Sequence, residues 1–377
     1  MRVGIITSFA QLKSDNYGGT LQNYALTKKI EGLGAEVCTY NFLYHICPFH
    51  IPESLQRRIY LQYGLELNLK NRKLIIHRDT VQKERNDRFR AFVGSHIPSE
   101  YVWVKRRMDY RKVDKTVDKF IVGSDQVWHP DWFLTGRRAC TYLLEFADDR
   151  KKYSYAASFG KADLPESIRN RVSASLSRFR EISVREQQGA LLIEELTGKC
   201  PHVVADPTLL LSKEEWEEVS VKPENLPEKY IATYFLGEPP EAIAEHIRTL
   251  KQELGEMCQV VNLANRKEDR YYVYGPSEFL GTIQGASIIL TDSFHACIFS
   301  FLFDKPFVIY KRNGDGEQMF SRLETLLDRL NLYNRLAGDF LPQNVFFCDY
   351  ASRKELLESW KKESCDFLCN IISEKME

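Results

Sequence analysis

The stretch Ser287-Ile288-Ile289-Leu290-Thr291-Asp292-Ser293-Phe294-His295-Ala296-Cys297-Ile298-Phe299-Ser300-Phe301-Leu302-Phe303 decides the fold. Its opening is a short apolar run rich in β-branched residues, the pattern of a buried parallel strand, and its end is apolar and helix-like. Between the two, an acid, a hydroxyl and an imidazole occupy one strand-to-helix turn. In an open α/β sheet such a turn lies at the carboxyl end of a strand, where ligands collect, and the amides opening the helix favour anions. Two readings of the triplet stand side by side. Asp292 or Ser293 caps the helix and His295 is a hydrogen-bonded structural imidazole, or all three belong to a site.

Outward from this turn the same unit repeats. Strands are expected over 230–236, 259–263, 287–291 and 306–310, alternating with helices over 241–254, 277–284 and 296–303, which makes a parallel α/β domain. The first half reads likewise. A strand over 3–7 leads through Asn16-Tyr17-Gly18-Gly19 to a helix over 21–33, where Leu26, Ile30 and Leu33 recur at helical spacing, and then to a strand over 37–42. Further strands follow over 120–122, 152–156, 181–184 and 202–205, with helices over 166–179 and 187–196. The sequence therefore predicts two Rossmann-like domains, 1–215 and 216–350, divided near the polar, proline-marked Lys222-Pro223-Glu224-Asn225-Leu226-Pro227. Residues 46–111 break the rhythm and read as a basic, helical insertion in the first domain. Residues 351–377 close the chain with an amphipathic helix expected to pack across the domain boundary.

At 377 residues the chain is too long for a single small core, which agrees with two domains. Its 52 Lys and Arg balance 52 Asp and Glu, so no net charge points to nucleic acid, and no nucleic-acid partner is expected. The balance hides an asymmetry: residues 57–119 hold seventeen Lys and Arg against eight Asp and Glu. That segment faces either solvent or an anionic surface such as a membrane. The nine cysteines form no C-x-x-C pair and keep no regular spacing with histidine, so neither zinc nor a disulfide framework is expected. The opening Met1-Arg2-Val3-Gly4-Ile5-Ile6-Thr7 reads as a strand, not a signal segment, and no apolar run is long enough to span a bilayer. A cytoplasmic location, at the inner face of the membrane if the basic segment docks there, is the expectation.

Three more strand ends carry polar clusters. In Asn16-Tyr17-Gly18-Gly19-Thr20-Leu21-Gln22 the paired glycines let backbone approach a ligand, or serve only a turn. The phosphate-loop Gly-Lys-Ser/Thr and G-x-G-x-x-G are both absent. In Gly123-Ser124-Asp125-Gln126-Val127-Trp128, Ser124, Asp125 and Gln126 suit sugar hydroxyls and Trp128 suits a sugar face; the alternative is a cap and a core tryptophan. In Ser183-Val184-Arg185-Glu186 the arginine suits a two-pronged grip on carboxylate or phosphate, or an internal ion pair. Arg312 and Arg322, beyond the last strand, are further anion-binding candidates.

These fragments, with Ala156-Ala157-Ser158-Phe159-Gly160, Asp206-Pro207-Thr208-Leu209-Leu210 and Thr291-Asp292-Ser293-Phe294-His295, resemble the polysaccharide pyruvyl transferase family in their order over the first 310 residues or so. The resemblance implies a two-domain fold like that of GT-B glycosyltransferases with the site in the cleft. It implies transfer of pyruvate from phosphoenolpyruvate to two hydroxyls of a glycan sugar, lipid-linked or free, giving a cyclic ketal and phosphate with no cofactor and no metal. Some members carry Arg-Leu-His where this chain has Ser293-Phe294-His295, so one anion contact of theirs is replaced by serine and falls to Arg322 or Arg312. On this reading His295 is the acid that protonates the donor, since an imidazole titrates near neutrality. Arg185, Ser293, His295, Arg322, Arg312 and Ser158 hold the donor. Asp125 or Asp292 orients His295 or accepts the hydroxyl proton. Asn16, Tyr17, Gly18, Gly19, Gln22, Ser124, Asp125, Gln126 and Trp128 face the acceptor. A sugar-nucleotide glycosyltransferase and a non-catalytic glycan-binding protein are the rival readings of the same fold.

Overall fold

The computed structural model describes residues 1–8, 16–44, 65–68, 73–76, 80–104, 107–132, 134–263, 269–312 and 320–374. In chain order the first lobe contributes β1 (Arg2–Ile6), β2 (Glu36–Tyr44), the antiparallel hairpin β3 (Leu65–Asn68) and β4 (Lys73–Ile76), β5 (Ser99–Val104), β6 (Lys119–Val122), β7 (Lys152–Ser154), β8 (Ser183–Val184) and β9 (His202–Val203). The second lobe contributes β10 (Tyr230–Tyr234), β11 (Gln259–Asn262), β12 (Ile288–Thr291) and β13 (Phe307–Ile309). The first sheet is parallel in the order β5-β2-β1-β6-β7, and single bridges Tyr153–Glu181 and Ala157–Val184 carry it on to β8, which pairs with β9. The second is parallel in the order β11-β10-β12-β13.

Alternation along each strand builds the layers. In β6, Phe120 and Val122 join the core on one side of the sheet while Ile121 joins the other. In β12, Ile288 and Leu290 face one core and Ile289 the opposite one. Successive side chains of a strand point to opposite faces, so a strand buried on both sides is apolar throughout. In each lobe the chain leaves the first strand to one side and returns on the other, opening a crevice at the strands' carboxyl ends. These crevices lie between β1 and β6, and between β10 and β12.

The largest apolar cluster belongs to neither lobe alone. It joins Tyr17, Leu21 and Tyr24 of the first lobe to Phe279, Phe294 and Phe299 of the second and to Trp360 and Phe367 of the closing helix Tyr350–Ser373. That helix also accepts from the first lobe: Ala205 N donates to Ser364 Oγ (2.8 Å), and the buried Lys119 ammonium donates to the carbonyl of Ile371. No described helix is long and apolar enough to cross a membrane.

Two expectations shift. The helix Tyr17–Gly32 starts four residues before its expected origin because Asn16 caps it, its side chain accepting from Gly19 N at 3.0 Å. Tyr17, Gly18 and Gly19 are thus the first helical turn, not a loop. The segment over 46–111 is not a purely helical insertion: its described part contains the helix Thr80–His96 followed by β5, which is the edge strand of the main sheet. The half-buried pattern of an edge strand, here Val102 and Val104 inward, has too few apolar residues to stand out in a basic stretch. Nor is all its charge on the surface. Arg85 is wholly buried, with its guanidinium over the rings of Tyr17 and Tyr272 (4.7 Å each), and Arg88 pairs with Glu278 across the lobes.

Arg85 donates to the Tyr17 hydroxyl (2.7 Å) and to the carbonyls of Tyr272 and Tyr274, so one buried cation clamps the lobes. Replacing it strips several buried acceptors of their donor. Arg85→Met is expected to lower unfolding stability by about 3 kcal/mol in a denaturant titration. A loss below about 0.5 kcal/mol, the scale of an ordinary surface change, contradicts the clamp.

Candidate functional site

A cluster of buried charge fills the space where the strand ends of the first lobe meet the turn after β12. Arg185 follows β8 and is 1% exposed. Its Nη1 donates to Asp206 Oδ2 (2.8 Å) and its Nη2 to Asp125 Oδ1 (3.3 Å), while its guanidinium lies 4.7 Å from the centre of the Phe294 ring. Burial disfavours its charge, but Asp206, Asp125 and Glu186 outweigh that and raise its pKa.

Asp206 has two tasks. Its Oδ1 caps the short helix Pro207–Leu210, accepting from Thr208 N (3.0 Å) and Oγ1 (2.7 Å). Its Oδ2 faces the cluster and accepts from Arg185 and from Ser124 Oγ (3.0 Å). His295 Nε2 stands 3.7 Å away, an ion-pair separation when the ring carries two protons. Burial alone would push the Asp206 carboxyl up, yet His295, Arg185 and Thr208 together hold it well below the usual carboxylate range. It is therefore an anion throughout the physiological range.

His295 reaches this point because the first lobe makes room for it. A Cβ on Gly18 would fall 2.0 Å from His295 Nδ1. Only glycine at that helical position lets the imidazole lie against the backbone, which accounts for an otherwise unfavourable residue in a first helical turn. The ring's Nε2 is buried without a hydrogen bond among the described residues.

Arg322, from the helix Ser321–Leu330, is the second guanidinium of the cluster and is 7% exposed. No ion pair to it is found among the described residues, and its Nε is buried without a hydrogen bond. Burial, reinforced by the like charge of Arg185, pulls it down to about 10 despite Asp125 and Glu186. A buried cation without a hydrogen-bonded ion-pair partner is costly, and such a group marks a place for an anion. His129 lies on the loop after β6 and is buried, stacked on Trp132 at 3.8 Å between ring centres. Burial pushes it down to about 4, so it is neutral, and its Nε2 also lacks a partner among the described residues. Gln126 Nε2, Ser158 Oγ, Arg185 Nε and Glu186 Oε2 are buried in the same condition.

Several expected site residues are absorbed elsewhere. Arg185 is ion-paired internally, so the two terminal nitrogens expected to grip a donor are occupied by Asp206 and Asp125. Asp292 binds backbone: its oxygens accept from Leu236 N (2.8 Å), Gly237 N (2.9 Å) and Arg312 Nε (2.8 Å), which ties the loops after β10 and β12 together. The carboxylate beside His295 is Asp206, not Asp292 or Asp125. Arg312 is thereby paired, and Ser293 is the helix cap, accepting from Ala296 N (3.4 Å). Asp125, in a left-handed conformation at φ 67° that aspartate tolerates, accepts from Arg185 and from Asn16 Nδ2 (3.1 Å).

The expected acceptor face is largely internal. Tyr17 packs between Phe89 and Phe279, with its hydroxyl donating to Tyr274 O. Gln22 donates to Thr7 Oγ1 and Gly19 O and accepts from Ser124 N. Trp128 is 0% exposed, donating to Tyr142 O and lying against Phe159, so it offers no face to a sugar. A Cβ on Gly19 would strike Ser8 O at 2.7 Å, so that glycine serves close packing. Asp206, Glu186 and His129 have no role that the sequence alone signals; Asp206-Pro207-Thr208 carries the signature of a helix cap, which masks its second oxygen. No group of three His, Cys, Asp or Glu poised for a metal occurs among the described residues.

In overall chain trace the protein is loosely similar to HepE of Anabaena in complex with UDP and glucose, at 10% identity and a TM-score of 0.45 over 98% of this chain and 99% of that one. A putative UDP-N-acetylglucosamine 2-epimerase from Listeria monocytogenes matches at 12% identity and 0.46 over 98% and 90%. UDP-GlcNAc 2-epimerase from Neisseria meningitidis bound to UDP-GlcNAc matches at 12% and 0.45 over 100% and 95%. No curated relative matches in sequence. The model of the family described as polysaccharide pyruvyl transferase, however, matches residues 16–313. That span runs from the cap of the first helix through the Arg185–Asp206–His295 cluster to Arg312, and the chain belongs to the polysaccharide pyruvyl transferase family.

Proposed function

We propose that this transferase takes pyruvate from phosphoenolpyruvate and joins it to two hydroxyls of a sugar in a bacterial surface or secreted polysaccharide, forming a cyclic ketal and releasing phosphate. The observation that carries the reading is Arg322, a buried guanidinium without an ion pair among the described residues, in the same cluster of buried charge as Arg185, while the Nε2 of His295 is also buried without a hydrogen bond among them. A small donor carrying both a carboxylate and a phosphate matches these unengaged hydrogen-bond donors. Arg322 stands in for the arginine that some members carry where this chain has Ser293.

The chemistry then follows from the residues. A proton held at His295 Nε2 passes to the methylene carbon of the enol ether, which becomes a methyl group and leaves an oxocarbenium-like centre. Asp206, held as an anion, stabilises the imidazolium before transfer and stays ionised itself. A sugar hydroxyl adds to the centre and its proton restores His295; the carbon–oxygen bond to phosphate then breaks with its electron pair going to phosphate, and the second hydroxyl adds to the oxocarbenium-like centre so left, closing the ketal while its proton makes good the one taken up by phosphate. Arg185 fixes Asp206 and Asp125 in place, and is a positioning residue. The direct test is acceptor-dependent phosphate release, with mass analysis of the glycan. A pyruvyl gain without nucleotide is expected, and a product made from a sugar nucleotide without phosphoenolpyruvate contradicts the reading.

His295→Gln is expected to retain donor affinity while turnover falls roughly 10²-fold or more, the usual weight of general acid catalysis. Unchanged turnover in the folded variant removes the acid role. Arg322→Met separates function from stability. Phosphoenolpyruvate affinity measured by calorimetry is expected to fall about 10- to 100-fold, the weight of a charged hydrogen bond. The unfolding midpoint is expected to hold or rise, since an apolar side chain replaces an uncompensated buried charge. A variant that binds normally, or that loses stability as a broken ion pair would, contradicts the assignment.

A further inference from the structure

Glu186 is a buried acid that the scheme so far leaves idle. It is 1% exposed and occupies the cap position of the helix Gln187–Thr197, yet its side chain makes no cap hydrogen bond. It turns inward instead. Its Oε1 accepts from Phe159 N at 3.2 Å, and its Oε2 has no hydrogen-bond partner among the described residues. A Cβ on Gly189 would stand 3.2 Å from Oε1, so the neighbouring helix turn closes over the carboxyl. The charged groups facing it are Arg185, on its own strand end, and Arg322, from the second lobe; the Ser158 hydroxyl lies near it on the loop after β7.

The company Oε2 keeps is informative. The other buried unpartnered atoms of this cluster are Gln126 Nε2, His129 Nε2, Ser158 Oγ, Arg185 Nε, His295 Nε2 and Arg322 Nε. Each can present a hydrogen to an anion. An ionised carboxylate among them would repel that anion, whereas a protonated carboxyl is one more donor. Burial pushes the Glu186 carboxyl up more strongly than Arg185, Arg322, the Ser158 hydroxyl and the Phe159 amide together pull it down.

We propose that Glu186 acts in the pyruvyl transfer as the acid of the departing phosphate. The inference rests on the proposed donor. The Oε2–H group donates to a phosphate oxygen of bound phosphoenolpyruvate. As the carbon–oxygen bond breaks and its electron pair goes to phosphate, the proton crosses from Oε2 to that oxygen. Glu186 is left a carboxylate beside Arg185 and Arg322, and the hydroxyl proton released by the acceptor restores it. The two acids thereby divide the work: His295 protonates carbon, and Glu186 protonates the leaving group.

Glu186→Gln keeps the shape and a hydrogen-bond donor but has no proton to give. In the acceptor-dependent phosphate-release assay its turnover is expected to fall roughly 10²-fold or more. Its phosphoenolpyruvate affinity at pH 6 is expected to stay within about threefold of wild type and its unfolding midpoint unchanged. Turnover near the wild-type value overturns the proposal, as does loss of stability with full turnover in the folded fraction. Inorganic phosphate, titrated by calorimetry from pH 5.5 to 8, gives a second readout independent of turnover. Wild-type affinity is expected to fall more steeply with rising pH than that of the glutamine variant, because only the wild type acquires a repelling carboxylate. Parallel profiles overturn the role of Glu186 and leave the pyruvyl reading standing. A wild type that binds phosphate with the steeper slope but does not consume phosphoenolpyruvate with any acceptor overturns the donor while leaving the acid–anion contact.

Discussion

Everything around the site follows from burying Arg185. A guanidinium that is 1% exposed is tolerable only with counter-charges in hydrogen-bond contact, and Asp206 and Asp125 supply them. Those two carboxylates come from loops after β9 and β6, so the ion pairs lock the carboxyl ends of separate strands together. Asn16 extends the lock to the first helix through Asp125, and Ser124 adds a second bond to Asp206. The network makes a fixed negative wall, and the second lobe brings His295 against it at 3.7 Å. Removing either acid would leave a buried charge uncompensated, at a cost of about 3–5 kcal/mol.

The same physics explains why the two lobes act as one body on this side. Tyr17, Phe89 and Phe279 stack across the boundary, Arg85 clamps it, and the closing helix accepts hydrogen bonds from the first lobe while packing on the second. Gly18 is the local condition for that approach, since any side chain there would displace His295. Two crevices, one at the carboxyl ends of each parallel sheet, are thus brought to a single site. The first contributes carboxylates and Arg185, and the second contributes His295 and Arg322.

Much of this was legible in the sequence. The apolar runs over β6, β10 and β12 announce parallel strands buried on both faces, and the polar residues after them mark the strand ends. The strand-end turns that carry His295, Arg185 and Asp125 therefore stand out in the sequence by position. Nothing in the sequence separates Arg322 from Arg312. What the sequence hides is which partner each polar side chain takes. Trp128 and Gln22 look like ligands but satisfy Tyr142 and Ser124, because a buried polar group must be paired somewhere and chain order does not say where. Asp206 looks like a cap and is one, while its other oxygen does the electrostatic work. β5 escaped notice because an edge strand needs few apolar residues, and Arg85 because a basic residue reads as surface until the rings that enclose it are assembled.

The account turns on where the donor lies. A crystal structure of the protein with phosphoenolpyruvate bound tests this most directly. The account predicts an anionic group of the donor within hydrogen-bond distance of the Arg322 guanidinium and the methylene carbon facing His295 Nε2. A donor held at Arg312 or elsewhere, with Arg322 still unpaired, would contradict it.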